Sequence, residues 1–239
     1  MPAEDETLDS FYHGRILVLQ KKKGYRFSVD APLLADFVQT EEGDDVLELG
    51  TGCGIISLLL SVKPFRHLTA VEIQPSLADL ARRNVRINRL EERISVVEQD
   101  WMDIRQECGF DVIFSNPPYH KRDAGQLSLT EEKSVAKHEL KSSIFDIMQK
   151  TARLLRKDGR ADFIFPAKRK RDLLEAAETN GLQVKQMRSI YPRTGAEPNL
   201  VLFAFDFTAG RTEIRPGLFL YDEQGRYTED VRKIFSGKA

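Results

Sequence analysis

The sequence predicts an α/β fold: an open, doubly wound, Rossmann-like sheet of seven mostly parallel strands, helices on both faces, and an N-terminal hairpin and helix extension. Three observations carry this. Short apolar runs alternate with amphipathic helical stretches through the middle of the chain, the pattern of βα units around a parallel sheet. The first run, Val46, Leu47 and Leu49, is broken by Gly50, Gly52 and Gly54, and a helical stretch starts at once at Ile55. Strand, glycine turn and helix, in that order, is how a doubly wound sheet presents a nucleotide-like ligand. Finally, an acid, Glu72, closes the next apolar run about twenty residues on, where such folds place a ribose-hydroxyl acceptor. The expected organisation is an extension over 1–40, the main domain over 41–208, and a C-terminal tail over 209–239 that docks on it.

The elements follow in order. Residues 1–10 are acidic and read as a disordered tail. Residues 16–30 read as a hairpin turning near Lys22, Lys23 and Gly24. The run Lys21, Lys22, Lys23 is either a solvated turn or a holder of polyanions. A short helix is expected over 31–38, capped by Asp30, with Pro32 in its first turn. After the glycine turn, a second strand ends at Val71, Glu72 and Ile73, and a helix over 76–90 turns Leu77, Leu80, Ala81, Val85 and Ile87 inward. Its outer face, with Arg82, Arg83 and Arg86, reads as solvated or salt-bridged surface. The third strand, 94–98, is followed by Asp100 and Trp101. Ligands of an open parallel sheet sit outside the strands' carboxyl ends. Asp100 is thus an acceptor for an adenine amino group or a helix cap, and Trp101 lies beside that ring or simply packs. The fourth strand, 110–115, runs into Asn116-Pro117-Pro118-Tyr119. A polar loop over 120–137, a helix over 140–156 ended by Gly159, a strand over 161–165, a basic-headed helix over 168–180 closed by Gly181, and two strands over 182–191 and 200–207 complete the domain.

The glycine turn also speaks to its ligand. A dinucleotide site spaces its glycines G-x-G-x-x-G and takes a pyrophosphate. Here the spacing is G-x-G-x-G and Glu48 stands just before it. A carboxylate there repels pyrophosphate and suits a cationic ligand such as S-adenosylmethionine, with its amino group and sulfonium. Glu48, Gly50, Thr51, Gly52, Gly54, Glu72, Ile73, Asp100, Trp101 and Asn116 are the expected cofactor contacts. The stretch 45–54 resembles motif I of the class I methyltransferases.

The tetrapeptide 116–119 is the most specific signal. An exocyclic amine or amide nitrogen is flat, its lone pair delocalised, and so it is a poor nucleophile. The Asn116 side-chain oxygen and the Pro117 carbonyl are two acceptors for its N–H groups. Prolines fix φ and remove donors, which makes the turn rigid. Tyr119 offers a ring to stack on a planar substrate. Positioning then dominates, with no strong base required. Asn116, Pro117 and Tyr119 are the expected catalytic residues. The motif resembles the Asn/Asp-Pro-Pro-Tyr/Phe motif of amino-methyltransferases, which act on adenine N6, on guanine N2 of ribosomal RNA, or on a release-factor glutamine. The stretches 23–31, 136–139, 193–199 and 220–228 resemble the tRNA adenine-N6 methyltransferases that modify A37 of a valine tRNA, and the resemblance covers nearly the whole chain. It implies S-adenosylmethionine as cofactor and tRNA as partner. The alternatives are a glutamine-N5 or guanine-N2 methyltransferase using the same motif, and a non-catalytic RNA-binding module.

Composition sets the bounds. Of 239 residues 41% are hydrophobic, enough for a sizeable core, and the net charge of −1 neither announces nor excludes a nucleic-acid partner. Basic residues gather at the expected mouth: Lys21, Lys22, Lys23, Lys121, Arg122, Lys168, Arg169, Lys170, Arg171, Arg188 and Arg193. All but Arg188 are the candidate RNA contacts. Two cysteines, Cys53 and Cys108, make no framework and read as reduced thiols. No zinc spacing, membrane-length apolar run or secretory signal is present in the sequence. A cytoplasmic protein without metal, monomeric or weakly dimeric, is expected.

Overall fold

The computed structural model describes residues 2–23, 27–105, 109–117 and 144–237. An antiparallel hairpin opens the chain, β1 (Glu6–Phe11) and β2 (Ile16–Lys21), with Glu6 opposite Lys21 and Phe11 opposite Ile16. This corrects two expectations. From Glu6 onward the acidic start is a strand rather than a disordered tail, and Ile16 to Gln20 pair upstream rather than across Lys22, Lys23 and Gly24. The turn lies at Tyr12, His13 and Gly14, all at positive φ (52°, 57° and 86°). Helix α1 (Asp30–Phe37) follows; Val29 occupies its N-cap, so Asp30 is the first helical residue and not the cap.

Among the described residues the main sheet has eight strands: β3 (Asp45–Leu49), β4 (His67–Glu72), β5 (Ile94–Glu98), β6 (Phe110–Ser115), β7 (Leu155–Pro166), β8 (Gln183–Tyr191), β9 (Leu200–Asp206) and β10 (Glu213–Phe219). Their order is β10-β8-β9-β7-β6-β3-β4-β5, with only β9 antiparallel to its neighbours. The eighth strand corrects the expected seven. β10 comes from the supposed tail and lies parallel to β8 at the sheet edge, where Pro216 is tolerated because no further strand needs its N–H. Gly159 lies inside β7, not at a helix end. A Cβ there would stand 2.8 Å from the Asp111 carbonyl, so only glycine allows the close approach of β6.

Helices α2 (Ile55–Leu60), α3 (Pro75–Ile87), α4 (Ile144–Leu154), α5 (Lys170–Thr179) and α6 (Glu229–Ser236) complete the described elements. The sheet is buried on both faces, so its strands alternate between two cores rather than between core and water. Val46, Leu68, Val112, Phe114 and Ile164 pack with α1, α2, α3 and α6. Leu47, Val71, Ile113, Phe163 and Phe203 pack with α4 and α5.

The hairpin is fastened to α3 by side chains acting as a strand edge. Asn84 accepts from Leu19 N–H at 2.7 Å and donates to Leu19 O at 2.9 Å. One turn on, Asn88 does the same with Leu17 at 2.8 and 2.7 Å. Arg83 adds a two-pronged ion pair to the buried Glu6 at 2.6 and 2.7 Å.

Candidate active site

The ends of β3, β4, β5 and β6 meet at one rim, and the expected cofactor contacts stand there. The glycine turn is tied to β4: the N–H groups of Gly50 and Thr51 both donate to Val71 O, at 3.0 and 2.9 Å. Gly50, Gly52 and Gly54 have φ of 77°, 58° and 86°, which only glycine adopts readily. The room beside each differs. A Cβ on Gly54 would press on Ala81 at 3.3 Å, so this glycine lets α3 pack close; beside Gly50 there is no atom within 4 Å. Gly50 thus leaves a cradle that a ligand can enter.

Glu48 is buried, 1% exposed. Its Oε2 accepts from Thr51 Oγ1 at 2.5 Å and from Ser57 Oγ, while Oε1 has no hydrogen-bond partner. Burial pushes its pKa up to about 7, against the two hydroxyls that lower it, with Glu72 adding repulsion. Glu72, also buried, accepts from Gly52 N–H at 2.7 Å through Oε2 and from Gln74 N–H at 2.9 Å through Oε1. The Gln99 N–H donates to Glu72 O at 3.0 Å, joining the ends of β4 and β5. Ile73 is exposed beside them.

Asp100 caps a 3-10 turn over Trp101–Asp103 by accepting from Met102 N–H at 2.9 Å through Oδ1. The cap reading therefore holds for that oxygen. Trp101 is half-buried against the α4/α5 core. At the end of β6, Ser115 Oγ donates to Leu49 O at 2.7 Å, so the next residues, half-buried Asn116 and buried Pro117, are held beside the glycine turn. Tyr119, Lys121, Arg122 and Cys108 lie outside the described residues, as do 118–143 as a whole.

The basic residues divide. Lys21 is paired with Asp5 at 2.8 Å and Glu6 at 3.5 Å within the hairpin, and Lys22 Nζ donates to Glu4 O. Lys23 is exposed. Arg169 pairs with Asp172 at 3.1 Å and lies over the Phe165 ring. Lys168, Lys170, Arg171 and Arg193 are exposed on the rim, with no partner among the described residues. Arg82 and Arg83 form ion pairs with Glu98 and Glu6, as expected of that helix face. Sequence reasoning missed Ser57, Gln74 and Asn84. Asn84 also donates to Cys53 O at 2.8 Å, bracing the glycine turn from behind; a polar residue amid Leu80, Ala81 and Val85 on the inward face of α3 was the available signal. Cys53 itself is buried, its thiol pushed up to about 12 by burial, and is inert.

Fold and site together define a class I methyltransferase: the strand order with its single antiparallel strand, the glycine turn, and an acid at the end of each of the first two strands. Residues 26–171 match the methyltransferase small domain, and the chain belongs to that family. A relative from Phocaeicola vulgatus, named tRNA1(Val) (adenine(37)-N6)-methyltransferase, is 30% identical over 204 residues, 85% of this chain and 86% of its own. Among solved structures, a predicted O-methyltransferase from Agrobacterium tumefaciens superposes with a TM-score of 0.68 at 19% identity, covering 87% of this chain and 96% of that one. The M. jannaschii protein TYW2, solved in complex with AdoMet, superposes with a TM-score of 0.58 at 16% identity over 86% and 88%.

S-adenosylmethionine is the cofactor of this class, and the residues present fit it. The unpartnered, buried Oε1 of Glu48 is an acceptor for a cationic group. The open side of Gly50 admits a ligand against the backbone. Among the described residues no cluster of His, Cys, Asp and Glu suits a metal ion, and no helix is long and apolar enough to cross a membrane.

Proposed function

We propose that this protein is a tRNA adenine-N6 methyltransferase acting at A37 of a valine tRNA in the cytoplasm. The observation that carries the chemistry is the seating of Asn116 and Pro117: β6 delivers them next to the cofactor turn, and the Ser115 to Leu49 bond fixes that register. The relative's name supports the choice of substrate. S-adenosylmethionine, when bound, supplies an electrophilic methyl group. Glu48, through its unpartnered Oε1, and Glu72 hold its polar ends, and Gly50 keeps the approach clear. Asn116 Oδ1 and Pro117 O accept the two N–H groups of the adenine amine and turn its nitrogen toward the methyl group. Tyr119 stacks on the base. Orientation supplies most of the rate, and removing one such acceptor typically costs on the order of 100-fold or more.

The test is mass spectrometry of nucleosides after incubating unmodified tRNA with protein and S-adenosylmethionine. N6-methyladenosine is expected, and Asn116→Ala is expected to lower kcat by at least about 100-fold with donor affinity unchanged. Methyl groups on guanine N2 or on a protein glutamine instead would overturn the substrate reading. No transfer together with no donor binding would leave only a binding module.

A further inference from the structure

An aromatic ladder closes the far end of the same rim. Phe219, at the end of β10, stacks on Tyr191 of β8, ring centroids 5.0 Å apart at 23°. Two residues on, Tyr221 stacks on Tyr227 at 5.1 Å and 18°, and Tyr227 meets Phe235 edge-on. These are built positions: a Cβ on Gly217 would stand 2.6 Å from the Tyr191 ring, so that ring needs glycine beneath it. Yet Phe219 and Tyr221 each remain 37% exposed. A stacked ring that stays more than a third exposed is a place for another flat group.

Its location and charge narrow the occupant. β10 runs parallel to β8, so Phe219 ends on the rim that carries Gly50 and Asn116. Four strand spacings separate β6 from β10, about 19 Å at about 4.8 Å each. Exposed Lys168 and Lys170 stand at the end of β7, between them. Tyr221 N–H donates to Pro192 O at 2.9 Å, which brings Arg193 beside the ladder, and Arg193 has no carboxylate partner among the described residues. Rings with uncompensated cations fit unstacked bases and their phosphates. Another protein strand fits poorly, because edge strand β10 carries Pro216 and a register break between Arg215 and Leu218.

We propose that Phe219 and Tyr221 form a stacking platform for an unpaired base flanking the target nucleotide in an RNA loop, with Arg193 on the adjoining phosphate. This rests on the RNA reading above. The single-stranded segment would run along the rim from the Asn116 pocket, past Lys168, to the ladder.

The test is equilibrium binding of unmodified tRNA to the full chain over a range of salt. Phe219→Ala/Tyr221→Ala is expected to bind about tenfold or more weakly, with its salt slope and donor affinity unchanged. Arg193→Ala is expected to lower the slope by about 1. Phe219→Tyr should bind like the wild type and Phe219→Leu should not. If the double variant fails to fold, Tyr221→Ala alone replaces it. Wild-type affinity in the double variant, or full recovery with Leu, overturns the platform. A wild-type dimer that the double variant breaks would assign the rings to a second copy instead. If the wild type itself binds no tRNA, the RNA reading fails rather than the platform.

Discussion

Replacing Glu48 by Gln separates what its carboxylate does for folding from what it does for the cofactor. The side chain is buried and its pKa rises from an ordinary 4.5 to about 7. The sign follows from that direction. The folded protein holds the proton more tightly than the unfolded chain, so the associated stability is complete below pH 4.5 and is lost as pH rises through 7. At 1.36 kcal/mol per tenfold change, the loss is about 3 kcal/mol. Gln keeps an oxygen for Thr51 and Ser57 and remains neutral at every pH. Urea unfolding of both proteins without cofactor should therefore show the variant gaining on the wild type by up to about 3 kcal/mol between pH 4.5 and 8, roughly 6–12 °C in Tm for a chain of this size. Cofactor binding should move the other way. The cationic donor favours the ionised acid, so calorimetry should find wild-type affinity rising from pH 6 to 8. The variant's affinity should be flat in pH and at least about tenfold weaker at pH 8. A stability gap independent of pH, or equal affinities at pH 8, would refute the assignment of a proton and a cation to this carboxylate.

Two further perturbations probe the extension. Asn84→Ala strips the partners of Leu19 N–H, Leu19 O and Cys53 O; at about 1–3 kcal/mol for a buried group left unpaired, urea unfolding should show a loss of roughly 3 kcal/mol or more. Arg83 beside Glu6 is the main cause that holds its carboxyl at about 2, so the stability it supplies is present above pH 4.5 and is lost as pH falls toward 2. The wild type should exceed Glu6→Gln by about 1–2 kcal/mol at pH 7, discounted because Arg83 is partly exposed, and the gap should shrink in urea titrations at pH 3.

What could be read from the residues alone was what is decided locally. The glycine turn, the acids closing two strands and the run into Asn116 are each set within a dozen positions, and the structure brings Glu48, Glu72 and Asn116 to one rim. The first hairpin was not legible, because its pairing is chosen by Asn84 and Asn88, 65 to 71 residues away. Its turn also lacks the Asn-Gly signature and instead puts Tyr12 and His13 at positive φ. β10 read as tail because Pro216 and Gly217 interrupt it, features that only an edge position excuses. The Ser57 bond to Glu48 was hidden for another reason: a hydroxyl in an apolar helix looks like filler until the carboxylate across from it is placed.

The strand order carries a consequence for synthesis. β8 touches only β9 and β10, both made after it, so a nascent chain that has emerged through residue 191 offers it no partner. β8 can therefore join the sheet only once β9 has been made to bridge it to β7. The stretch 213–239, from β10 onward, then covers the open margin of β8. Until they leave the ribosome, a row of unpaired backbone amides stays available to chaperones or to aggregation.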